Sequence, residues 1–422
     1  MPGVKKLYHT IVLLLLVIVN PVSLHTIALA AEHSHTPLSK SEHLSFAEVF
    51  ASAYDNAPEL LSVPSRQDQA DQYTQLGESL IVGVPSVQGS VIDDRALSSV
   101  GLREIEAGLQ FSLWRPGERS QAQALGRDYQ SMLESWQRSL RWEVAGRTRE
   151  VITQLMRADV MLELQQQAIA SAEELLHLTE VLRANGSVAQ LEVMQAETLL
   201  LEQQALLFEA EAVLLDAELD FTMLTNLTIR PAANYTEPKT QLREINQNHP
   251  LLHYLQTNLQ VAESQIENVR RQAYGNPLLG IGVRRERGNR QTDYTDSLGI
   301  SLSIPVGKSA SVSTQVSAAR RQHADLMVAR QQTYLRLDRN LKEVNHLIEL
   351  TSEKIALSQS RFELSQQRAA MVRTAFEVGE ADLLAAVIAL QQAQEAERQL
   401  RSQQLDLQRY IIEYNQAVGL LP

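Results

Sequence analysis

The sequence of 422 residues contains no cysteine. Its absence excludes disulfide bonds, and it also excludes a lipid-modified amino-terminal cysteine of the kind that anchors many exported proteins. The stability of the folded chain must therefore come from packing and from oligomerisation.

Aromatic residues, glycine and proline are also scarce. Aromatic side chains make up 5% of the chain, which has 18 glycines and 13 prolines. Ala, Leu, Gln, Glu and Arg dominate instead, a composition typical of long helices. The hydrophobic fraction of 44% is enough to bury a core, and the length allows two or three ordinary domains.

Positively charged residues are fewer than negatively charged ones, which gives a net charge of −12 at pH 7. Proteins that bind nucleic acid carry basic patches, often with interleaved aromatic residues, so no nucleic acid is expected as a partner. The sequence also lacks a G-x-S-x-G motif, a phosphate-cradling glycine loop, paired carboxylates at a recognisable spacing and a cysteine nucleophile. We therefore expect that the protein is not an enzyme and holds neither a cofactor nor a catalytic metal.

The only extended apolar run lies at the amino terminus. Lys5 and Lys6 precede an apolar run over residues 11–19, and residues 28–30 (Ala-Leu-Ala) match the small-x-small pattern that signal peptidase cleaves. This run is short for a membrane anchor, so we predict a signal peptide over residues 1–30. No later segment approaches eighteen consecutive apolar residues, and a mature protein that entered a membrane would therefore do so as β-strands.

Residues 31–44 are polar and are predicted to form a mobile tail. The tail holds three histidines, His33, His35 and His43. Imidazole is a common ligand of transition metals, but solvated tail histidines are the favoured interpretation. His249 and His253 have the i, i+4 spacing of ligands on one helix face. No glutamate completes an H-E-x-x-H motif, so both are interpreted as surface or packing residues.

The sequence is duplicated at an offset of about 192 residues. Residues 56–60 (Asn-Ala-Pro-Glu-Leu) return as 248–252 (Asn-His-Pro-Leu-Leu), and Pro85 returns as Pro277. A period of this size describes two domain-sized units. We assign a first structural repeat to residues 45–231 and a second to residues 240–422.

Each repeat contains a very long helical segment. Residues 119–183 contain no proline, and apolar side chains recur at steps of three and four from Ala122 through Leu125 to Tyr129. At 1.5 Å per residue, about 65 residues form a rod of about 100 Å. We predict antiparallel helical hairpins over about 118–225 and about 309–418.

The hairpin turns are recognisable from their residues. Residues 185–186 (Asn-Gly) suit the left-handed position that closes a helix, and Ser187 with Gln190 fits a Ser-x-x-Gln capping box. In the second repeat Gly379 takes the closing position, and Asp382 is the candidate cap of the returning helix. These glycines would be needed to end the helices even if nothing bound at the turns.

Before each long helix the apolar residues follow a period of two. Strands are predicted at about 80–91, 102–114, 278–287 and 296–305. Their apolar positions are candidates for contact with lipid: Ile105, Leu109, Phe111, Leu113, Leu298, Ile300, Leu302 and Ile304. A soluble two-layer sheet is the alternative explanation of the same alternation.

Four strands are too few to enclose a channel. In lipid every backbone polar group must be paired, so a spanning sheet has to close on itself. Three copies would supply twelve strands and twelve helical arms, which predicts a homotrimer. The predicted fold class is therefore mainly α with a transmembrane β part, built from duplicated units of helix, β-hairpin and long helical hairpin.

These motifs resemble the TolC-like outer-membrane factors of Gram-negative efflux and secretion systems. The resemblance extends from residues 44–48 (Leu-Ser-Phe-Ala-Glu) to residues 414–419 (Tyr-Asn-Gln-Ala-Val-Gly). Within it, residues 183–187 (Arg-Ala-Asn-Gly-Ser) look like the first hairpin turn of the family, and residues 376–384 look like the second. Each motif is short, and their order, duplication and spacing together carry the resemblance.

The resemblance implies a trimer with a 12-strand β-barrel in the outer membrane and a 12-helix α-barrel in the periplasm. Such a passive duct works with a periplasmic adaptor (membrane fusion) protein and an inner-membrane RND or ABC transporter. The resemblance also implies that the adaptor docks at the hairpin tips, which here are Asn185, Gly186, Ser187, Val378, Gly379 and Glu380. Many relatives also carry a lipid-modified cysteine, so this chain departs from them and would be held by its strands alone.

Two questions stay open from the sequence. The cargo is one, although the compact chain and the histidines of its tail resemble the heavy-metal-efflux branch more than the protein-secreting one. The other is an alternative function, a periplasmic adaptor or another coiled-coil structural protein of an export complex. An adaptor normally has one helical hairpin, and the two hairpins and two strand pairs predicted here argue against it.

Overall fold

The computed structural model describes residues 37–232, 235–307 and 310–422. The predicted signal peptide over residues 1–30, together with His33 and His35, lies outside the described residues. The described chain is mostly helical, with one four-stranded antiparallel sheet and one two-stranded parallel sheet.

The elements of the first half follow one another from the amino-terminal strand to the first hairpin and the short strand after it. They are β1 (Ser39–Ser41), α1 (Phe46–Asp55), a 3-10 turn (Pro58–Ser62), α2 (Val63–Glu78), β2 (Ser86–Asp93), β3 (Arg103–Ser112), α3 (Glu118–Ala184), α4 (Gln190–Thr225) and β4 (Ile229–Pro231). The second half contains α5 (Pro250–Gln272), β5 (Leu278–Arg287), β6 (Thr295–Ser303), α6 (Ala310–Glu377) and α7 (Leu383–Ala417).

The two halves match element by element. The 3-10 turn with α2 corresponds to α5, and β2, β3, α3 and α4 correspond to β5, β6, α6 and α7. Helix α1 breaks the symmetry, because the described residues between β4 and α5 form no helix or strand.

The long helices set the dimensions of the molecule. Helix α3 has 67 residues and α6 has 68, so each is about 100 Å long. The returning helices α4 and α7 have 36 and 35 residues, about half the length of their partners. Helices α2 and α5 pack on the remaining halves. Among the described residues, no helix is apolar over a length that would let it cross a membrane.

The core is distributed along these rods. One cluster contains Phe376 and Leu383 of the second hairpin together with Leu175 of the first. A second, larger cluster surrounds Phe221 at the junction of α1, α3 and α4. A smaller one around Leu125 lies where α2 and α5 pack on α3. An elongated molecule of this kind has no single centre of burial.

The four-stranded sheet joins the two halves. Its strand order is β2-β3-β5-β6, and every neighbouring pair is antiparallel. The β3–β5 pair connects the repeats. Strand β2 begins at Ser86, whereas the sequence predicted a strand from about residue 80. The other three strands begin and end within two residues of their predicted limits.

The segment predicted as a mobile tail contains structure. Of residues 31–44, Ser39–Ser41 form β1, which pairs in parallel with β4. Lys40 Nζ also lies 3.1 Å from Asp159 Oδ1 on α3. These partners are distant in sequence, and no local pattern in residues 37–44 reveals them, so the prediction of mobility is wrong for this part of the tail.

Candidate functional site

The first candidate site is the four-stranded sheet, one face of which is apolar. Residues paired across the sheet point to the same side, and the register aligns Val87, Leu109, Ile281 and Ile300 in one row. The neighbouring rows are also apolar. The face consists of Val87, Val91, Ile105, Ala107, Leu109, Phe111, Leu279, Ile281, Val283, Leu298, Ile300 and Leu302.

The positions predicted to contact lipid fall on this face. Six of the eight lie in strands, namely Ile105, Leu109, Phe111, Leu298, Ile300 and Leu302. Leu113 and Ile304 come directly after the ends of β3 and β6. Leu298 and Ile300 are each 72% exposed, so this face is not covered by the chain itself.

The opposite face of the sheet is polar. Gln88 Nε2 donates to Gln110 Oε1 at 2.6 Å. Arg284 lies among carboxylates, with its NH2 atom 2.7 Å from Glu104 Oε1 and 2.6 Å from Glu286 Oε2. The sheet therefore has the two unlike surfaces that period-two alternation predicts.

Glycines allow the middle strands to approach closely on the polar side. Gly108 pairs with Gly282 across the β3–β5 junction. A Cβ atom added at Gly108 would lie 2.8 Å from the carbonyl oxygen of Ile281, closer than real side chains come. A larger residue here would force the two repeats apart.

The sheet has two open edges. Within the described residues, β2 and β6 each have a strand on one side only. An unpaired strand edge presents free N–H and C=O groups and is a template for pairing with another chain. Both edges of the sheet are therefore available for pairing with another strand.

The second candidate site is the pair of hairpin tips. At the first tip the N–H of Ser187 donates to Leu182 O at 2.9 Å, and the N–H of Gly186 donates to Arg183 O at 2.8 Å. This pattern is a Schellman motif, in which the closing residue is left-handed. Gly186 has φ of 75°, and glycine adopts this conformation without the cost that a Cβ would bring.

The second tip repeats the same geometry. The N–H of Glu380 donates to Ala375 O at 2.8 Å, and that of Gly379 donates to Phe376 O at 3.1 Å. Gly379 has φ of 80°. A Cβ added at either Gly186 or Gly379 would meet nothing within 4 Å, so the requirement for glycine is conformational.

The helix caps agree with the prediction at only one tip. Asp382 caps α7, with its Oδ1 accepting from the N–H of Ala385 at 2.7 Å, as predicted. The Ser187–Gln190 capping box is wrong, because the N–H of Ser187 is used to close α3 and α4 begins later. Its N-cap is Ala189, whose N–H donates to Glu192 Oε2 at 3.0 Å.

The two tips lie side by side. Arg373 NH1 of the second hairpin is 2.8 Å from Glu174 Oε2 of the first, and Phe376 is buried in the cluster that both hairpins share. All six predicted tip residues are exposed: Asn185, Gly186, Ser187, Val378, Gly379 and Glu380. Both tips therefore lie at the same end of the molecule.

Sequence reasoning missed the ionic contacts at both sites. Arg373 and Glu174 are 199 positions apart, and Arg284 and Glu104 belong to different repeats. No local pattern marks such pairs. The alternation of β5 could have indicated that Arg284 points away from the apolar face.

The remaining candidate histidines are scattered in the structure. His43 is exposed, His253 is half-buried, and His249 is buried against Trp142, with ring centroids 4.9 Å apart. In the part of the chain that the structure describes, no three His, Asp or Glu side chains are grouped as metal ligands.

Comparison with known proteins gives similarity in structure only. No model of a protein family matches the sequence, and no curated protein sequence matches it. Among solved structures, the outer membrane protein VceC from Vibrio cholerae superposes with a TM-score of 0.72 at 13% identity, covering 89% of this chain and 96% of that one.

Two further solved structures are similar to the same extent. CusC, described for its conformational changes on folding and transmembrane channel formation, has a TM-score of 0.71 at 14% identity, covering 92% of this chain and 95% of that one. The Campylobacter jejuni CmeC outer membrane channel has a TM-score of 0.69 at 15% identity, with coverage of 93% and 90%. The chain therefore has the fold of these three proteins.

Proposed function

We propose that the chain is a member of the TolC-like outer-membrane factors and forms a passive exit duct. In this proposal three copies close a 12-strand β-barrel in the outer membrane of a Gram-negative bacterium, and their helical hairpins form a 12-helix tube in the periplasm. The duct itself catalyses nothing. A partner pump supplies the energy.

The observation that carries the proposal is the four-stranded sheet, with an exposed apolar face and two open edges. Closing β6 of one copy on β2 of the next would satisfy both edges and turn every apolar face outward. From Leu113 to Ile105 the apolar face runs about 26 Å along the strand at about 3.3 Å per residue. This length is close to the height of about 25 Å of the apolar band in outer-membrane barrels. The shared fold of VceC, CusC and CmeC supports the same function.

The hairpin tips are the proposed docking surface for a periplasmic adaptor. The tip residues are exposed and lie at the ends of the long helices, farthest from the sheet. We further propose that the adaptor couples the duct to an inner-membrane RND or ABC transporter, as part of a tripartite efflux or type I secretion system. Crosslinking from a photoreactive residue placed at Ser187 would identify this partner.

The proposed cargo is a heavy-metal ion, as in the branch that the sequence resembles. A deletion strain is then expected to lose metal tolerance and to keep its tolerance of drugs. The opposite pattern, with metal tolerance unchanged and drug tolerance lost, would assign the duct to drug efflux.

The experiment that tests the channel compares matched substitutions on the two faces of β6. Ile300→Arg places a charge on the face proposed to contact lipid, at a cost of about 2–4 kcal/mol near the membrane midplane. Ser301→Arg places the same charge on the polar face. We expect the wild type and Ser301→Arg to insert into lipid vesicles and conduct ions across planar bilayers, and Ile300→Arg to insert poorly.

Two outcomes would contradict the proposal. One is a wild-type protein that purifies as a water-soluble monomer without detergent. The other is equal membrane insertion of Ile300→Arg and Ser301→Arg. A periplasmic adaptor, the alternative function, would give the first outcome, and the duplicated hairpins and four-stranded sheet of this chain do not favour it.

A further inference from the structure

A group of arginines borders the apolar face at the loop end of the sheet. Arg103 pairs with Arg287, and Arg285 pairs with Ile105. All three arginines therefore point to the same side as the apolar residues. Arg285 lies in the last aliphatic row, beside Ile105, and Arg103 and Arg287 lie in the row that follows. The loops at this end connect β2 to β3 and β5 to β6, so it is the end of the sheet farthest from the helices.

An aromatic ring lies close to two of these guanidinium groups. The ring centroid of Tyr294 lies 5.0 Å from Arg285 Cζ and 4.9 Å from Arg287 Cζ. Both distances are within the range of cation–π attraction. Tyrosine also suits a boundary between apolar and polar surroundings, because its ring is apolar and its hydroxyl is not.

The arginines on this face are incompletely neutralised. Arg285 Nε is 3.5 Å from Asp296 Oδ1, and its side chain is 60% exposed. Arg103 Nε is 3.7 Å from Asp93 Oδ2, an atom that also pairs with Arg95.

Arg287 adds a third positive charge. Its Nε donates to the carbonyl oxygen of Gly101 at 3.2 Å. Within residues 37–232, 235–307 and 310–422, no carboxylate forms an ion pair with it. Three arginines therefore face two aspartates, Asp93 and Asp296, at this border.

We propose that Arg103, Arg285 and Arg287 bind the phosphate groups of anionic lipids whose acyl chains cover the apolar face. This inference rests on the proposed function, because it takes the apolar face as the one in contact with the membrane. The guanidinium fork matches the geometry of phosphate oxygens. Successive rows of side chains on one face are about 7 Å apart along the strand. Arg285 therefore lies at the edge of the aliphatic band and Arg103 and Arg287 one row beyond it, where lipid headgroups begin.

The test uses the full-length protein in detergent and follows its thermal unfolding as lipid is added. Phosphatidylglycerol provides the anionic headgroup, phosphatidylcholine is the zwitterionic control, and inorganic phosphate tests for a site that binds the free anion. The double variant Arg285→Gln/Arg287→Gln removes two of the proposed ligands. Arg284→Gln is the matched control, because it removes an adjacent charge from the opposite face of β5.

We expect phosphatidylglycerol to raise the melting temperature more than phosphatidylcholine does. A basic residue near a membrane surface contributes about 1 kcal/mol, which is about fivefold in affinity, so the double variant should bind phosphatidylglycerol roughly 25-fold more weakly. Arg284→Gln should retain the preference for the anionic lipid.

Three outcomes would overturn this inference and leave the proposed function standing. These are equal stabilisation by the two lipids, an unchanged preference in the double variant, and equal stabilisation by inorganic phosphate alone. Failure of the proposed function looks different, because the wild type would then neither insert into vesicles nor conduct ions.

Discussion

Buried ion pairs link β4 to α3 and α4. The side chain of Arg230 on β4 is only 3% exposed, and its Nε is 2.8 Å from Glu218 Oε1 on α4. Its NH2 group donates to Asp159 Oδ1 on α3 at 2.9 Å. Burial alone would raise the pKa of the Asp159 carboxyl, but the hydrogen bond and charge of Arg230, assisted by Lys40, lower it below the ordinary value.

Removal of Arg230 should destabilise the protein strongly. Arg230→Met removes the guanidinium group that pairs with the buried carboxylate of Glu218, and losing one partner of a buried pair costs about 3–5 kcal/mol. Arg398→Met is the control, because its pair with Glu395 is exposed and should contribute less than about 1 kcal/mol. Denaturant unfolding of the detergent-solubilised protein measures both, and equal losses would contradict the expectation.

A buried histidine should make stability depend on pH. His249 is 1% exposed, and its ring packs edge-on against Trp142. Burial lowers the pKa of His249 to about 4, because the interior disfavours the imidazolium ion. The unfolded chain binds this proton near the ordinary pKa of about 6.5.

The sign of the pH effect follows from this difference. Because the unfolded state takes up the proton first, the contribution of His249 is complete above about pH 6.5 and is lost as the pH falls toward 4, by about 3 kcal/mol. His249→Leu should remove this part of the acid sensitivity. Thermal unfolding of both proteins between pH 7 and pH 4 measures the difference, and parallel profiles would contradict it.

At the scale of single elements, the periodic patterns were the dependable part of the sequence. The 68-residue helix α6 follows from a segment without glycine or proline, and its end at Gly379 follows from the need for a left-handed residue. The ends of strands were harder to predict, because they depend on pairing partners that are distant in the sequence. Residues 80–85 are apolar enough to suggest a strand. However, β3 ends at Ser112, so in the described chain residues 80–83 have no strand opposite them. The N–H of Val82 donates to Ser112 O at 2.8 Å.

The caps of the returning helices provide a test at the same scale. Asp382→Ala should cost about 1 kcal/mol and speed hydrogen exchange in the first turn of α7 by about fivefold. Ser187→Ala should change stability by less than about 0.5 kcal/mol, because Ser187 uses its N–H to close α3 and does not cap α4. A loss at Ser187 as large as that at Asp382 would restore the capping box predicted from the sequence.

At the scale of the whole molecule, the duplication predicts how copies should join. The repeat offset of about 192 residues makes Gln88 equivalent to Gly280. Gln88 pairs with Gly108 in the first β-hairpin, and Gly280 pairs with Ser301 in the second, so Gly108 and Ser301 are also equivalent. Gly282 is equivalent to Ser90 in the same way. Because Gly108 pairs with Gly282 inside one chain, Ser301 of one copy should face Ser90 of the next.

The absence of cysteine makes this register easy to test. Ser90→Cys/Ser301→Cys should form a disulfide between neighbouring copies, since residues paired across a sheet have suitable Cα separations of about 4.5–5.5 Å. Ser90→Cys/Ser297→Cys is the control, because its second cysteine lies on the same face about 13 Å further along β6. After oxidation, a denaturing gel should show linked trimers for the first pair only. Linkage limited to dimers, or equal linkage of both pairs, would contradict the proposed closure.

Local sequence patterns were sufficient to predict the duplication, the long helical hairpins with their glycine turns, and the two unlike faces of the strands. These features depend on local periodicity and backbone conformation, which are set by residues that are neighbours in the sequence. Three features are visible only in the folded chain: β3 pairs with β5 in a single sheet, β1 pairs with β4, and Arg373 contacts Glu174 between the two hairpins. Those contacts depend on residues brought together from opposite halves of the chain, where packing and buried charge select partners that no local pattern identifies.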